Sequence, residues 1–188
     1  QAEELAGQIR AIGGVTTIAD DGRLYKEDTR RFSGLKSNGA LFEWMVAAAV
    51  IETFEKKPDA YDQVSEIHLE CTTKKLGEPD VKPDSELDLV ITTKFGTLLV
   101  FEMKTYEFSG DTAKSKESTA YKKSGPYGKA IIVGPLLRNM QNDDGAFPSY
   151  IDTKIIDQRQ TADQNGIEYL LLDEVEESIL RKLHVERL

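Results

Sequence analysis

The sequence predicts an α/β protein, a central mixed sheet with helices packed against it, and three observations predict it. A long apolar helix is followed by three strand-like runs with no helix among them, the pattern of an antiparallel meander. A polar helical stretch then leads to a short, wholly apolar strand, KAIIVGP, and a crossover of that length returns parallel to the strand before it. Two more helix patterns enclose a last strand, IEYLLLD, which extends the alternation to the C-terminal end.

Taken in order, QAEELAGQIRAIG reads as a helix, VTTIADDGRLYKE as a hairpin turning at Asp21-Gly22, and TRRFSGLKSNG as loop. From Ser37 to Lys57 the spacing predicts a long helix capped by Ser37 or Asn38 and stopped by Pro58. YDQVSEIHLECTT is a strand, LGEPDVKPD a proline-bearing loop, SELDLVITT a strand, KFG a turn and TLLVFEMKT a strand. SGDTAKSKESTAYKKSG is a polar helix or mobile loop ending at Gly125-Pro126. After KAIIVGP, the segment IDTKIIDQRQTADQNG is a helix with Gly166 just past its end, and EVEESILRKLHV is the last helix. Residues 1–36 are expected to be a linker, helix and hairpin from a longer chain, since the sequence starts on Gln1, and 37–188 to be one domain.

The composition fits that size. With 188 residues, 39% hydrophobic and 30% charged, the chain can bury one substantial core. The single cysteine, Cys71, excludes an internal disulfide and reads as core, and no apolar run has the length of a membrane span or signal peptide. The expected setting is the cytoplasm, with no membrane partner. A formal net charge of -9 excludes the uniformly basic surface of a general nucleic-acid binder, so any such contact must be local. His68 and His184 are too isolated for a zinc site or a Ser/His/Asp arrangement, and no glycine loop has the spacing of a phosphate-cradling loop.

Charge appears where the sheet should be dry. Strand alternation puts Leu98, Val100, Glu102 and Lys104 on one face of their strand, and Asp88 with Glu86, Val90 and Thr92 on one face of its neighbour, opposite Leu87, Leu89 and Ile91. A three-residue turn at Lys94-Phe95-Gly96 sets the register so that Asp88 faces Glu102. Like charges so placed, with β-carbons roughly 5 Å apart, are destabilising. Either one carboxylate is protonated or a cation sits between them, and a hard divalent ion takes oxygen ligands in this way. Lys104 would then stand beside the ion. The plainer alternative is a Lys104–Glu86 salt bridge, with Asp88 and Glu102 solvated at the strand ends. Glu43 shares the face of Gly39, Val46, Ala47 and Val50 in the preceding helix, so it points at the sheet and needs a partner there, either the same ion or Arg30, Arg31 or Lys36 of the preceding loop.

Helix with an inward Glu43, meander with Asp88, then Glu102-Met-Lys104: between Ser37 and Pro135 this resembles the PD-(D/E)XK nuclease superfamily, whose core is a restriction-endonuclease-like αβββαβ unit. SELDLVITTKFGTLLVFEMKT and SNGALFEWMV are most similar to the nuclease domain of CRISPR-ancillary effectors that couple a cyclic-oligoadenylate sensor of the CARF type to a metal-dependent nuclease, with Ser85 in place of the usual Asn. The resemblance implies hydrolysis of phosphodiester bonds in DNA or RNA with Mg2+ or Mn2+. It implies Asp88 and Glu102 as metal ligands, Lys104 positioning the attacking water, and Glu43 as a further ligand, direct or through water. Cyclic oligoadenylate would be a partner only through a sensor outside these residues. Pro83-Asp84 matches the superfamily name literally but precedes the strand, and Asp80 is more remote still. Two basic stretches flank the site in sequence: Arg23, Lys26, Arg30, Arg31 and Lys36, and Lys114, Lys116, Lys122, Lys123 and Lys129. Of these, Lys122 and Lys123, with Lys114 and Lys116, are the expected phosphate contacts. Tyr121 and Tyr127 either stack on bases or pack beside the Gly-Pro turn. Homodimerisation stays open, as do two alternatives: a DNA-repair or restriction-type nuclease, or a catalytically silent domain used for binding or dimerisation.

Overall fold

The computed structural model describes residues 16–18, 24–26, 38–73, 85–105, 107–134 and 149–183. The N-terminal helix, the loop carrying Arg30, Arg31 and Lys36, the Asp80 and Pro83-Asp84 segment and His184 lie outside the described residues. A small antiparallel ribbon, β1 (Thr16–Ile18) and β2 (Leu24–Lys26), brackets the expected turn. The main unit runs α1 (Asn38–Lys56), α2 (Pro58–Tyr61), β3 (Val64–Thr73), β4 (Ser85–Thr93), β5 (Leu98–Met103), α3 (Gly110–Ser124), β6 (Gly128–Gly134), α4 (Ser149–Gln164), β7 (Glu168–Leu171) and α5 (Val175–Lys182). Its five strands lie in sequence order, β3 to β5 antiparallel and β5 to β7 parallel. This is the mixed sheet the sequence predicts.

Local chemistry sets the boundaries. Pro58 has no N–H to donate, so α1 ends before it, with Lys57 N donating to Thr53 O at 2.9 Å, and the proline starts the short α2 instead. The polar stretch from Gly110 is a helix. Ser109 caps it, its hydroxyl accepting from Thr112 N, and Ala113 and Ala120 anchor it, each at most 1% exposed. Gly166, at φ +70, lets the chain leave α4 while Ile167 N reaches back to Ala162 O at 3.0 Å.

Two apolar layers sandwich the sheet. On one face Phe42, Val46 and Val50 of α1 and Val175 and Ile179 of α5 pack against Leu89, Ile91, Leu99, Phe101 and Ile131. On the other, Ala113 and Ala120 of α3 and Ala162 of α4 pack against Val90, Val100 and Ile132. Strict alternation would keep Leu87 with Leu89, and it does not hold: Leu89 belongs to the α1 layer, Leu87 to the α3 layer. The partner strand changes face at the same level, with Leu69 against the first layer and Cys71, half-buried, against the second. Between them Glu70 takes φ +50, a left-handed conformation rare for a residue with a β-carbon. The switch falls at Asp88, and its cause is in the hydrogen bonding described below.

Gly128 starts β6 directly under α3, where an added β-carbon would lie 2.1 Å from the Ala120 carbonyl oxygen. Gly128→Ala is therefore expected to destabilise the protein by about 1–3 kcal/mol in urea denaturation, while Phe95→Ser at the hairpin tip changes it by no more than about 0.5 kcal/mol.

Candidate active site

The β4–β5 hairpin closes through Thr93 N to Thr97 O at 2.9 Å and Gly96 N to Thr93 O at 3.0 Å, with Gly96 at φ +81. This is the three-residue turn the sequence predicts, and the register is the expected one, from Thr92↔Leu98 to Leu89↔Phe101. There the ladder stops, one position short of Asp88 and Glu102. Continued, its alternating bonds would give Met103 N the carbonyl of Leu87 as acceptor. Instead Met103 N donates to Asp88 Oδ2 at 2.7 Å. A side-chain carboxylate thus replaces the main-chain acceptor, β4 turns away, and β5 stays with β6 through Lys104 N to Val133 O at 3.0 Å. The strands splay at this end, and charged side chains fill the opening.

Glu102 is only 4% exposed. Lys104 Nζ lies 2.6 Å from its Oε1 and Lys116 Nζ 2.5 Å from its Oε2. Lys116 also donates to the Glu86 carbonyl at 3.1 Å. Its contact with Oε2 is a charge contact off the direction of a hydrogen bond, so that buried oxygen is neutralised without being directionally satisfied. Burial, then repulsion from Glu102, pushes the Asp88 carboxyl up to about 6, against the opposing pull of the Met103 N–H, Lys116 and Lys104. Glu43, half-buried beside fully buried Val46 and Val50, is also pushed up to about 6, by burial and then by Asp88, Glu70 and Glu102, with Lys104 opposing.

The structure therefore gathers Glu43, Asp88, Glu102 and Lys104. Lys104 pairs with Glu102, where the plainer sequence alternative had it on Glu86. Of the four lysines expected on phosphate, Lys116 turns inward to the carboxylate while Lys114, Lys122 and Lys123 are exposed on α3. Lys122 and Lys123 sit six and seven residues beyond Lys116, roughly 10 Å further along the helix. Tyr121 and Tyr127 are 58% and 65% exposed rather than packed beside the Gly-Pro turn. The inward role of Lys116, expected only on phosphate, and the presence of Glu70 escape the sequence reading. Lys116 shares the helical face of Ala113 and Ala120, a spacing of three and four that marks it as turned to the sheet. Glu70 sits between Leu69↔Leu89 and Cys71↔Leu87, hence opposite Asp88, and nothing in the run HLECTT distinguishes it.

Among the described residues no group of three or more His, Cys, Asp or Glu is arranged to hold a metal ion as it stands. A magnesium-type ion does not require one, since one or two carboxylates with water and phosphate complete its shell. The donors here are all oxygen, and Glu102 Oε2 lacks a directional partner. Asp88 and Glu102 thus fit a hard divalent ion, with Glu43 alongside.

Among solved structures the chain is similar to protein VC1899 from Vibrio cholerae, with 20% identity over 97% of this chain and 42% of that one, at a TM-score of 0.50. It is also similar to Can2 from Sulfobacillus thermosulfidooxidans, solved in complex with cyclic tetra-adenylate, with 16% identity over 84% of this chain and 36% of that one, at a TM-score of 0.53. No family model matches the sequence, and no curated protein does. At these identities the likeness establishes architecture: the chain has the restriction-endonuclease-like α/β fold. It spans about two fifths of the length of those two chains. No helix among the described residues is long and apolar enough to cross a membrane.

The raised carboxyls give a pH signature. Asp88 titrates near 3.8 unfolded and about 6 folded, so the native protein keeps a proton that the unfolded chain releases. The stability this contributes is full below about pH 4 and lost as pH rises through 6. In EDTA, wild type is expected to lose stability across that window relative to Asp88→Asn, read by urea denaturation at each pH, and a pH-independent difference would contradict the assignment.

Proposed function

We propose that this chain is a metal-dependent nuclease domain that hydrolyses phosphodiester bonds of DNA or RNA. The observation that carries the reading is Glu102, a buried carboxylate held by two lysines beside a second carboxylate that has displaced a sheet hydrogen bond, on a restriction-endonuclease-like fold. Stability alone is a poor reason for such a cluster, because apolar residues at a strand end stabilise at least as well. Asp88 and Glu102 would hold Mg2+ or Mn2+, with Glu43 contributing directly or through water. When bound, the ion supplies Lewis-acid polarisation of a phosphate oxygen.

The chain's own groups do the rest. Lys104, fixed by its backbone bond to β6 and by Glu102, holds the attacking water and stabilises charge building on phosphorus. Lys114, Lys122 and Lys123 on α3 contact the phosphate backbone, and Tyr121 and Tyr127 are exposed for stacking on unpaired bases. The likeness to Can2, of which the chain spans 36%, supports a further part of the proposal. In it, residues 37–188 are the nuclease domain of a CRISPR-ancillary antiviral effector, 1–36 lead into it, and cyclic oligoadenylate acts through a sensor elsewhere in a longer protein.

Labelled single- and double-stranded DNA and RNA incubated with Mn2+ test the reading. Cleavage of at least one substrate is expected, reduced about 100-fold or more in Asp88→Asn and Lys104→Met proteins whose thermal melts remain cooperative. A folded wild type that cuts none of the four substrates would make the domain a silent binding module.

A further inference from the structure

Lys116 has no role in the reading above, yet it makes the shortest contact in the site, 2.5 Å from Glu102 Oε2. Its side chain is 19% exposed, comes from a helix on the α3 face of the sheet, and is braced by the Glu86 carbonyl. The oxygen it approaches is the one without a directional hydrogen bond. Lys104 differs in this respect, because its backbone is locked to β6 and its strand neighbour is Glu102 itself. A flexible four-carbon stem on α3 lets the Lys116 ammonium leave by side-chain rotation alone. The oxygen it would vacate is the free donor that a hard cation needs.

Resting on the reading of Asp88 and Glu102 as ion ligands, we infer that Lys116 is the resting counter-ion of Glu102, competes with the divalent ion for that carboxylate, and on ion uptake is released toward the substrate phosphate. The device has two physical consequences. In the ion-free protein Lys116 balances the charge of a buried carboxylate, which limits repulsion among Glu43, Asp88 and Glu102. Once the ion is in place, the displaced ammonium adds a positive charge on the same helix as Lys114, Lys122 and Lys123, so ion binding and backbone binding reinforce each other. Arginine, with a rigid fork, would hold the carboxylate bidentately and give it up less readily.

Titration of the 188-residue chain with Mn2+ alone, by calorimetry, tests the inference without any nucleic acid. Lys116→Met is expected to bind Mn2+ about tenfold tighter than wild type, and Asp88→Asn to lose the uptake. Should wild type bind and Lys116→Met bind no better, this inference fails and the ion-ligand reading stands; should neither bind, both fail. Because the Met variant leaves Glu102 with one lysine and could misfold, a second measurement uses wild type only. Acylation of lysines read by mass spectrometry is expected to label Lys116 severalfold faster in saturating Mg2+ than in EDTA, with Lys114 unchanged as the reference. Equal Lys116 labelling in the two conditions would overturn the proposal.

Discussion

A carboxylate that is 4% exposed on a central strand must be neutralised, and at Glu102 two lysines from different elements do it. That constraint organises the whole end of the sheet. Charge at this depth has no room in a closed ladder, so β4 and β5 part after Leu89↔Phe101, and the Asp88 side chain takes over the main-chain acceptor role toward Met103. The parting lets Leu87 and Cys71 change face relative to Leu89 and Leu69, and it leaves Glu70 in a left-handed conformation beside the opening. Removing one partner from a buried pair of this kind typically costs about 3–5 kcal/mol, far more than the pair contributes over an apolar substitute.

The β7 edge of the sheet shows what charge does when it serves structure. There Glu168 meets Ser178, Arg181 and Lys182, and Arg159 pairs with Glu174, which also accepts from Leu171 N at 2.8 Å. Burial alone would raise the Glu168 carboxyl, but Lys182, Arg181 and Ser178 outweigh it and hold it below the usual range. Asp88 and Glu43 move the other way, because burial is joined by repulsion from neighbouring carboxylates and their lysines do not outweigh the two. The β7–α5 network pins an edge strand, with Glu168 and Glu174 each paired to at least one base. At the splayed end the acids outnumber the lysines, an imbalance that a divalent cation would correct.

Most of the architecture was legible in the sequence because it is written in periodicities and punctuation. Pro58, Ser109, Gly96 and Gly166 end or start elements for reasons of dihedral angle and hydrogen bonding that need no tertiary knowledge. The pairing register followed from one turn length. Asp88, Glu102, Lys104 and Glu43 were visible as charges on faces that should be apolar. The change of face at Asp88 was not legible, since a carboxylate replacing a carbonyl in the ladder leaves no trace in alternation. The inward turn of Lys116 was hidden differently. In a run of five lysines its charge looks like solvated surface, and only its spacing from Ala113 and Ala120 marks it as inward. Glu70 had no signal at all, because its position depends on the pairing of β3 with β4, which are distant in sequence.

On the proposed reading, the opening between β4 and β5 is a cation site framed by Asp88 and Glu102. A crystal soaked in Mn2+ and measured at the manganese absorption edge tests it most directly. The account predicts an anomalous peak about 2.1 Å from oxygens of both carboxylates. An electron-density map with no such peak, both lysines still on Glu102 and Asp88 still on the Met103 amide at saturating Mn2+, would contradict it.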